Sequence, residues 1–128
     1  MEIYKSTYQT LNIKGDSLVN VWYPGMDEDT FKTEMQVFAE KVMRYRAKNI
    51  LVDLSQSDFI VTPDLQDWSE KLLSDVYEKA GTVKQAIVVS ADIMALVSVK
   101  QSVEDNASAG ITEYFPSIEE AEEWIISN

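Results

Sequence analysis

The stretch ILVDLSQSDFIVTPDL, residues 50–65, decides the fold of this chain. It opens with an apolar run, residues 50–52 and Leu54, of the kind found in strands buried on both faces of a parallel sheet. It closes with Thr62 followed by Pro63, which is an N-cap residue followed by proline at the first helical position. The stretch therefore predicts a central strand, a loop and a helix. In open α/β sheets such a loop is where ligands and partners are expected.

The composition fits one globular domain. A chain of 128 residues is long enough for a single hydrophobic core, and 45% of its residues are hydrophobic. No apolar run approaches the roughly 20 residues that a membrane-spanning helix needs. The N-terminal segment lacks the charged and then apolar layout of a signal peptide. We therefore expect one domain over residues 1–128, a cytoplasmic location and no membrane insertion.

The absence of two residue types excludes many kinds of site. The sequence has neither cysteine nor histidine, which removes disulfides, thiol nucleophiles, serine-histidine-aspartate triads and ordinary zinc ligand sets. The four glycines are isolated, so neither a P-loop nor a dinucleotide-binding fingerprint can be assembled. We predict no catalytic residue, no metal site and no cofactor.

The charge of the chain excludes two classes of partner. A formal net charge of -11 repels nucleic acid and anionic membranes. The basic cluster Lys41, Arg44, Arg46 and Lys48 closes the first predicted helix, where cations complement the helix dipole. A contact patch for an acidic partner is the alternative reading of this cluster.

The first half of the chain predicts a hairpin and a helix. Residues 3–13 and 18–23 have strand character, and residues 14–17 supply turn chemistry between them. Asp27 can cap a helix whose apolar residues recur at helical spacing and which ends near Arg46.

The next elements continue the alternation. The helix that begins at Thr62 stops at Gly81, a residue suited to the left-handed position after a helix. Residues 86–89 form another apolar strand. A third helix is expected after a cap at Ser90 or Asp92.

The last elements close the sheet. Residues 111–115 are expected to form an edge strand, and Ser117 with Glu120 forms a capping box that opens the last helix. The chain is therefore predicted to be an α/β domain, with a mainly parallel sheet, an antiparallel N-terminal β-hairpin and about four helices.

This order of elements resembles the STAS domains, the sulfate-transporter and anti-sigma-factor-antagonist family, and especially their bacterial SpoIIAA-like branch. Residues 53–55, Asp-Leu-Ser, are similar to the family segment that ends the central strand. Residues 59–65 match in length the family segment Phe-Ile-Asp-Ser-Ser-Gly-Leu, and GITEYFPSIEEAEEWI, residues 110–125, is similar to the closing strand and helix. The resemblance covers nearly the whole chain. It implies a STAS-like fold and a non-enzymatic role in protein interaction and regulation.

The resemblance also implies a position that corresponds to a phosphorylation site. In the phosphorylatable members, a kinase modifies a serine at the start of this helix and thereby switches binding to an anti-sigma factor. Thr62 corresponds to that serine by position, but Val61, Pro63 and Asp64 depart from the family pattern. Proline removes an N–H donor and Asp64 adds a negative charge. We therefore expect Thr62 to act as an N-cap rather than as a phosphoswitch.

The polar residues after the central strand are candidates for chemistry. Asp53 ends that strand, and Ser55, Ser57 and Asp58 follow it. Together they could hydrogen-bond a small ligand or hold magnesium, or Asp53 could serve a small enzyme. Such residues more often bond to their own backbone and build turns, so a structural role is favoured for Asp53.

The apolar residues of the same loop indicate binding. Phe59 and Ile60 fall in a predicted loop, and Trp68 lies on the helix that follows. If they are exposed, apolar residues in a loop mark an interface. The leading hypothesis is an interaction surface built from this loop and helix, which binds a protein partner or a second copy in a homodimer. The alternative is a carrier of a small apolar ligand, such as a lipid, held between sheet and helices.

Overall fold

The computed structural model describes residues 1–90 and 111–126 of the chain. One sheet of six strands runs in the order β1-β2-β3-β4-β5-β6. The strands are β1 (Glu2–Lys5), β2 (Gln9–Lys14), β3 (Ser17–Trp22), β4 (Asn49–Asp53), β5 (Lys84–Val88) and β6 (Ile111–Phe115). The helices of the described residues are α1 (Glu28–Tyr45), α2 (Pro63–Ala80) and α3 (Ile118–Ile126). Strands β1 to β3 are antiparallel and β3 to β6 are parallel, which confirms the predicted α/β class.

The N-terminal hairpin is present as β2 and β3, but β1 adds a third antiparallel strand to it. The sequence predicts one continuous strand over residues 3–13, whereas the structure divides this segment at Ser6 into β1 and β2. The hydroxyl of Ser6 accepts hydrogen bonds from the backbone N–H groups of Tyr8 and Gln9, at 3.0 and 3.2 Å. A serine turn of this kind reverses the chain without glycine or proline, so the usual turn residues do not mark it in the sequence.

The predicted helix boundaries are confirmed where the structure describes them. Asp27 caps α1 by accepting a hydrogen bond from the backbone N–H of Thr30 at 2.8 Å, and its hydrogen bonds from Thr30 lower the pKa of the Asp27 carboxyl. Thr62 caps α2, and Gly81 ends it in the left-handed conformation with φ 79°. The helix predicted after Ser90 or Asp92 lies outside the described residues, which contain three of the four predicted helices.

Helices cover both faces of the sheet. Residues Ile50 and Val52 of β4 belong to the core that α1 and α2 cover, together with Phe38. Leu51, between them, belongs to a second core under α3, whose Ala121 contributes to it. Because successive strand residues point to opposite faces, a strand covered on both sides needs an unbroken apolar run. This requirement explains the sequence of β4.

A buried polar network ties the antiparallel strands to α1. Glu34 is only 7% exposed, and its carboxylate accepts hydrogen bonds from Ser6 Oγ and Gln9 Nε2, both at 2.9 Å. Tyr4 donates to both carboxylate oxygens at 3.3 Å, and burial raises the pKa of Tyr4. Asn20 donates to Gln9 at 3.0 Å. Asn20 Oδ1 is the atom of this network that lacks a partner among the described residues. The remaining hydrogen bonds specify how α1 packs on β1 and β2.

Two tyrosine hydroxyls, of the half-buried Tyr4 and the buried Tyr77, predict opposite effects on stability. The Tyr77 hydroxyl is buried and has no hydrogen-bond partner among the residues that the structure describes, and burial raises the pKa of Tyr77. We expect Tyr77→Phe to keep the free energy of unfolding or to increase it by about 1 kcal/mol, because an unsatisfied hydroxyl is removed. We expect Tyr4→Phe to lower it by about 1 kcal/mol, because the bond to Glu34 is lost. Urea unfolding followed by tryptophan fluorescence measures both variants, and equal losses in the two would contradict the assignment.

Candidate functional site

The candidate site lies at the edge of the sheet where the parallel strands end. Because β3 and β4 are parallel, the segments that leave their carboxyl ends emerge at the same edge, and α1 and α2 both begin there. We call residues 54–62, which join β4 to α2, the β4–α2 loop. In open α/β sheets this edge is the usual place for binding sites.

Asp53 holds the start of the β4–α2 loop. It is 3% exposed, and its Oδ1 accepts hydrogen bonds from the backbone N–H of Ser55 at 2.9 Å and from Ser55 Oγ at 2.6 Å. Ser57 Oγ accepts from the N–H of Phe59 at 3.3 Å and closes a second small turn. Asp53, Ser55 and Ser57 therefore shape the loop, as their turn-forming chemistry predicts.

Asp58 joins the β4–α2 loop to the segment before α1. Its Oδ1 accepts a hydrogen bond from the backbone N–H of Gly25 at 3.1 Å. Gly25 has φ 102°, a conformation that residues with a side chain rarely adopt. Its link to Asp58 could have been found only by placing β3 beside β4.

Phe59 is an anchor of the loop rather than a freely exposed residue. Its ring stacks on Phe31 of α1, with 4.7 Å between the ring centroids and an interplanar angle of 14°. Phe31 also contacts Trp22 and Trp68, at centroid distances of 6.3 and 6.5 Å. The sequence places Phe31 only on the apolar face of the first helix, so its role as the centre of this aromatic cluster emerges from the packing.

Ile60 is the most exposed of the large apolar residues of the β4–α2 loop. Its side chain is 82% exposed, and that of Val61 is 44% exposed. Leu54, at the other end of the loop, is also exposed. Trp68, on α2, is half-buried beside Phe31, and Lys32 Nζ lies 5.7 Å from the centroid of its ring. Phe59 and Ile60 thus differ in exposure, because Phe59 packs on Phe31 and Ile60 does not. The sequence predicts the same loop position for both.

Thr62 occupies the N-cap position of α2. Its Oγ1 accepts a hydrogen bond from the backbone N–H of Leu65 at 3.4 Å, and Pro63 follows at the first helical position. Asp64 stands exposed in the first turn. A phosphate on Thr62 would meet the negative charge of Asp64 and find no N–H on Pro63.

A cleft elsewhere on the molecule bears on the binding of small ligands. It has a volume of about 390 Å³ and lies between β1 and α1. Its lining residues are Tyr4, Thr33, Gln36, Val37, Glu40 and Lys41. The cleft is largely open to solvent, whereas a site that carries a small apolar ligand encloses most of the surface of that ligand.

The structure resembles two solved bacterial structures. One is an anti-sigma factor antagonist from Mycobacterium paratuberculosis, with a TM-score of 0.60, 14% sequence identity and 93% of each chain covered. The other is an uncharacterized protein of the DUF3478 family with a SpoIIAA-like fold, from Shewanella loihica, with a TM-score of 0.58 and 12% identity. That match covers 95% of this chain and 98% of the other. The sequence matches no protein-family model and no curated protein.

These likenesses establish the class of fold. The protein has the STAS-like, or SpoIIAA-like, α/β fold, as the residues of the β4–α2 junction predict. No helix in residues 1–90 and 111–126 is both long and apolar enough to cross a membrane.

The Asp53 turn predicts a difference between two substitutions. Asp53→Ala removes the acceptor of both hydrogen bonds from Ser55, and we expect the free energy of unfolding to fall by about 1–3 kcal/mol. Asp53→Asn keeps an acceptor oxygen, so its loss should stay within about 1 kcal/mol. Chemical denaturation of the two variants measures the difference. Equal losses would show that the charge of Asp53, rather than its role as hydrogen-bond acceptor for Ser55, stabilises the protein.

The N-cap role of Thr62 predicts a second pair of results. Thr62→Ala should lower the free energy of unfolding by about 1 kcal/mol, whereas Thr62→Ser keeps a hydroxyl acceptor and should have little effect. Thermal unfolding followed by circular dichroism measures both. Full stability in Thr62→Ala would argue that the hydroxyl has no capping role.

Proposed function

We propose that the protein is a non-enzymatic interaction module that binds a protein partner through the β4–α2 loop. Ile60 provides the main contact, and Val61 extends it. The observation that carries this proposal is the 82% exposure of Ile60 on a loop that its neighbours hold in place. Ile60 and Val61 are consecutive and both exposed, and neighbouring exposed apolar side chains form the kind of patch that marks an interface.

The loop is ordered before any partner arrives. The Asp53 turn holds its start, the bond from Gly25 to Asp58 holds its middle, and the Thr62 cap holds its end. The stacking of Phe59 on Phe31 fixes the residue next to Ile60. Little conformational entropy is then lost when a partner binds, and such preorganisation increases affinity.

Two observations support a non-enzymatic role. The Oδ1 atom of Asp53, the carboxylate best placed for chemistry, is already engaged by Ser55. The fold is shared with a protein from Mycobacterium paratuberculosis whose name describes an antagonist of an anti-sigma factor. By analogy, we infer a regulatory role in the cytoplasm for this chain as well. Thr62 need not be phosphorylated for the surface to be available, since Ile60 is exposed with Thr62 unmodified.

Two exposed isoleucines allow a matched test of this surface. Ile60 is 82% exposed and Ile126, at the end of α3, is 81% exposed. We expect the Ile60→Asp variant to capture about tenfold less partner than the unmodified protein. This decrease corresponds to a loss of ~1.4 kcal/mol in binding free energy. Ile126→Asp carries the same change away from the loop and should bind as the unmodified protein does. Affinity capture from cells that express each tagged variant, quantified by mass spectrometry, measures the difference.

The same experiment can contradict the proposal. If Ile60→Asp and Ile126→Asp capture every partner equally well, the β4–α2 loop is not the contact surface. Ile60 is the better probe than Phe59, because a charge at Phe59 would also break the stacking on Phe31 and disturb the fold. Circular dichroism of both isoleucine variants controls for folding.

A further inference from the structure

The charges around the β4–α2 loop indicate what kind of partner it receives. Exposed carboxylates occur in the two helix starts and in the loop that meet at this end of the parallel strands. They belong to Asp27, Glu28, Asp29, Asp58, Asp64 and Asp67. Asp58 and Asp64 stand close to Ile60 along the chain. The start of α1 is brought to the loop by the bond from Gly25 to Asp58.

Helix dipoles account for only part of this charge. Each helix N-terminus is equivalent to roughly +0.5 elementary charge, so α1 and α2 together offset about one of these negative charges. Lys32, which lies over Trp68, offsets about one more. Of the six formal negative charges of these residues, about four are therefore left uncompensated at this end of the sheet, where Ile60 and Val61 are exposed.

We propose that the β4–α2 loop receives a basic segment of a protein partner. An apolar side chain of that segment contacts Ile60 and Val61, and its lysine or arginine side chains face the surrounding carboxylates. This inference rests on the proposed function and adds the chemistry of the partner. Complementary charge of this kind speeds association and rejects acidic competitors.

Other occupants fit these observations less well. Nucleic acid and anionic membranes would be repelled by the same carboxylates. A metal ion needs converging ligands, and the described residues contain no group of three or more acidic side chains arranged to hold one. The six carboxylates are thus spread over a surface, which suits a segment of protein better than a single ion.

A second copy of the chain would have to offer a basic surface. The cations of the opposite edge of the sheet are partly neutralised, since Arg44 lies 3.9 Å from Glu40 and Lys79 lies 3.1 Å from Asp75. That edge is therefore a weak counterpart for the β4–α2 loop. A different protein with a basic segment is therefore more complementary in charge to the β4–α2 loop than a second copy of the chain is.

Three synthetic peptides test the inference on the intact protein. The probe alternates leucine with lysine, one control alternates leucine with glutamate, and the other alternates serine with lysine. Binding is followed by fluorescence anisotropy and located by ¹⁵N–¹H correlation spectra. We expect only the leucine-lysine probe to shift the amide signals of Ile60 and Val61. Its affinity should fall several-fold when the salt concentration rises from about 0.05 M to about 0.3 M, because ions screen exposed charges.

Matched variants measure separately what the carboxylates and the apolar side chain of Ile60 contribute to binding. Asp64→Asn with Asp67→Asn should weaken the leucine-lysine probe about three- to tenfold. Asp75→Asn with Glu78→Gln makes the same charge change at the far end of α2 and should alter binding less than about twofold, since the distance exceeds the screening length. Ile60→Ser should weaken the probe and Ile126→Ser should not.

Defined outcomes overturn the inference. It fails if the leucine-glutamate peptide occupies the loop as tightly as the leucine-lysine probe, if the serine-lysine peptide binds equally well, or if the leucine-lysine probe leaves Ile60 and Val61 unshifted. It also fails if sedimentation shows a dimer that Ile60→Ser dissociates, because a second copy would then be the occupant. The first two results leave the proposed function intact, whereas equal partner capture by Ile60→Asp and Ile126→Asp removes both.

Discussion

The burial of β4 on both faces is the constraint on which the rest of the structure depends. Strand β4 pairs with parallel neighbours on each side, and its side chains enter two separate cores. Helices α1 and α2 must cover one face and α3 the other. Because parallel strands require crossover connections, their loops gather at one edge of the sheet. The position of the β4–α2 loop thus follows from the covering of β4.

The loop then depends on contacts from another part of the chain. Phe31 on α1 provides the ring on which Phe59 stacks, and Gly25 provides the N–H that Asp58 accepts. With Phe59 held inward, the next residue, Ile60, points to solvent. The same packing that orders the loop is therefore what exposes its apolar residue, and fold and proposed function share one cause.

Charge and apolar exposure have complementary roles at this edge. Acidic residues at helix N-termini stabilise the helices to which they belong, but their number exceeds what two dipoles can balance. An exposed apolar patch without surrounding charge would favour non-specific association. Surrounded by carboxylates, it favours basic partners and repels acidic ones. Stability and selectivity are thus obtained from the same residues.

The sequence by itself determined the α/β class, the helix starts at Asp27 and Thr62 and the burial of β4, because these depend on local chemistry and on apolar periodicity. It also identified the turn-forming role of Asp53. It did not reveal the turn at Ser6, since a serine hydroxyl can form a turn that no glycine or proline announces. The buried network around Glu34 was equally invisible, because its members lie far apart along the chain.

Only the tertiary structure decided which apolar residue of the loop is available to a partner. Phe59 and Ile60 are adjacent and both apolar, and no local property separates them. The difference arises because Phe31, 28 positions before Phe59 in the chain, lies against one ring and not against the other side chain. Sequence patterns report on neighbours along the chain, whereas exposure depends on neighbours in space.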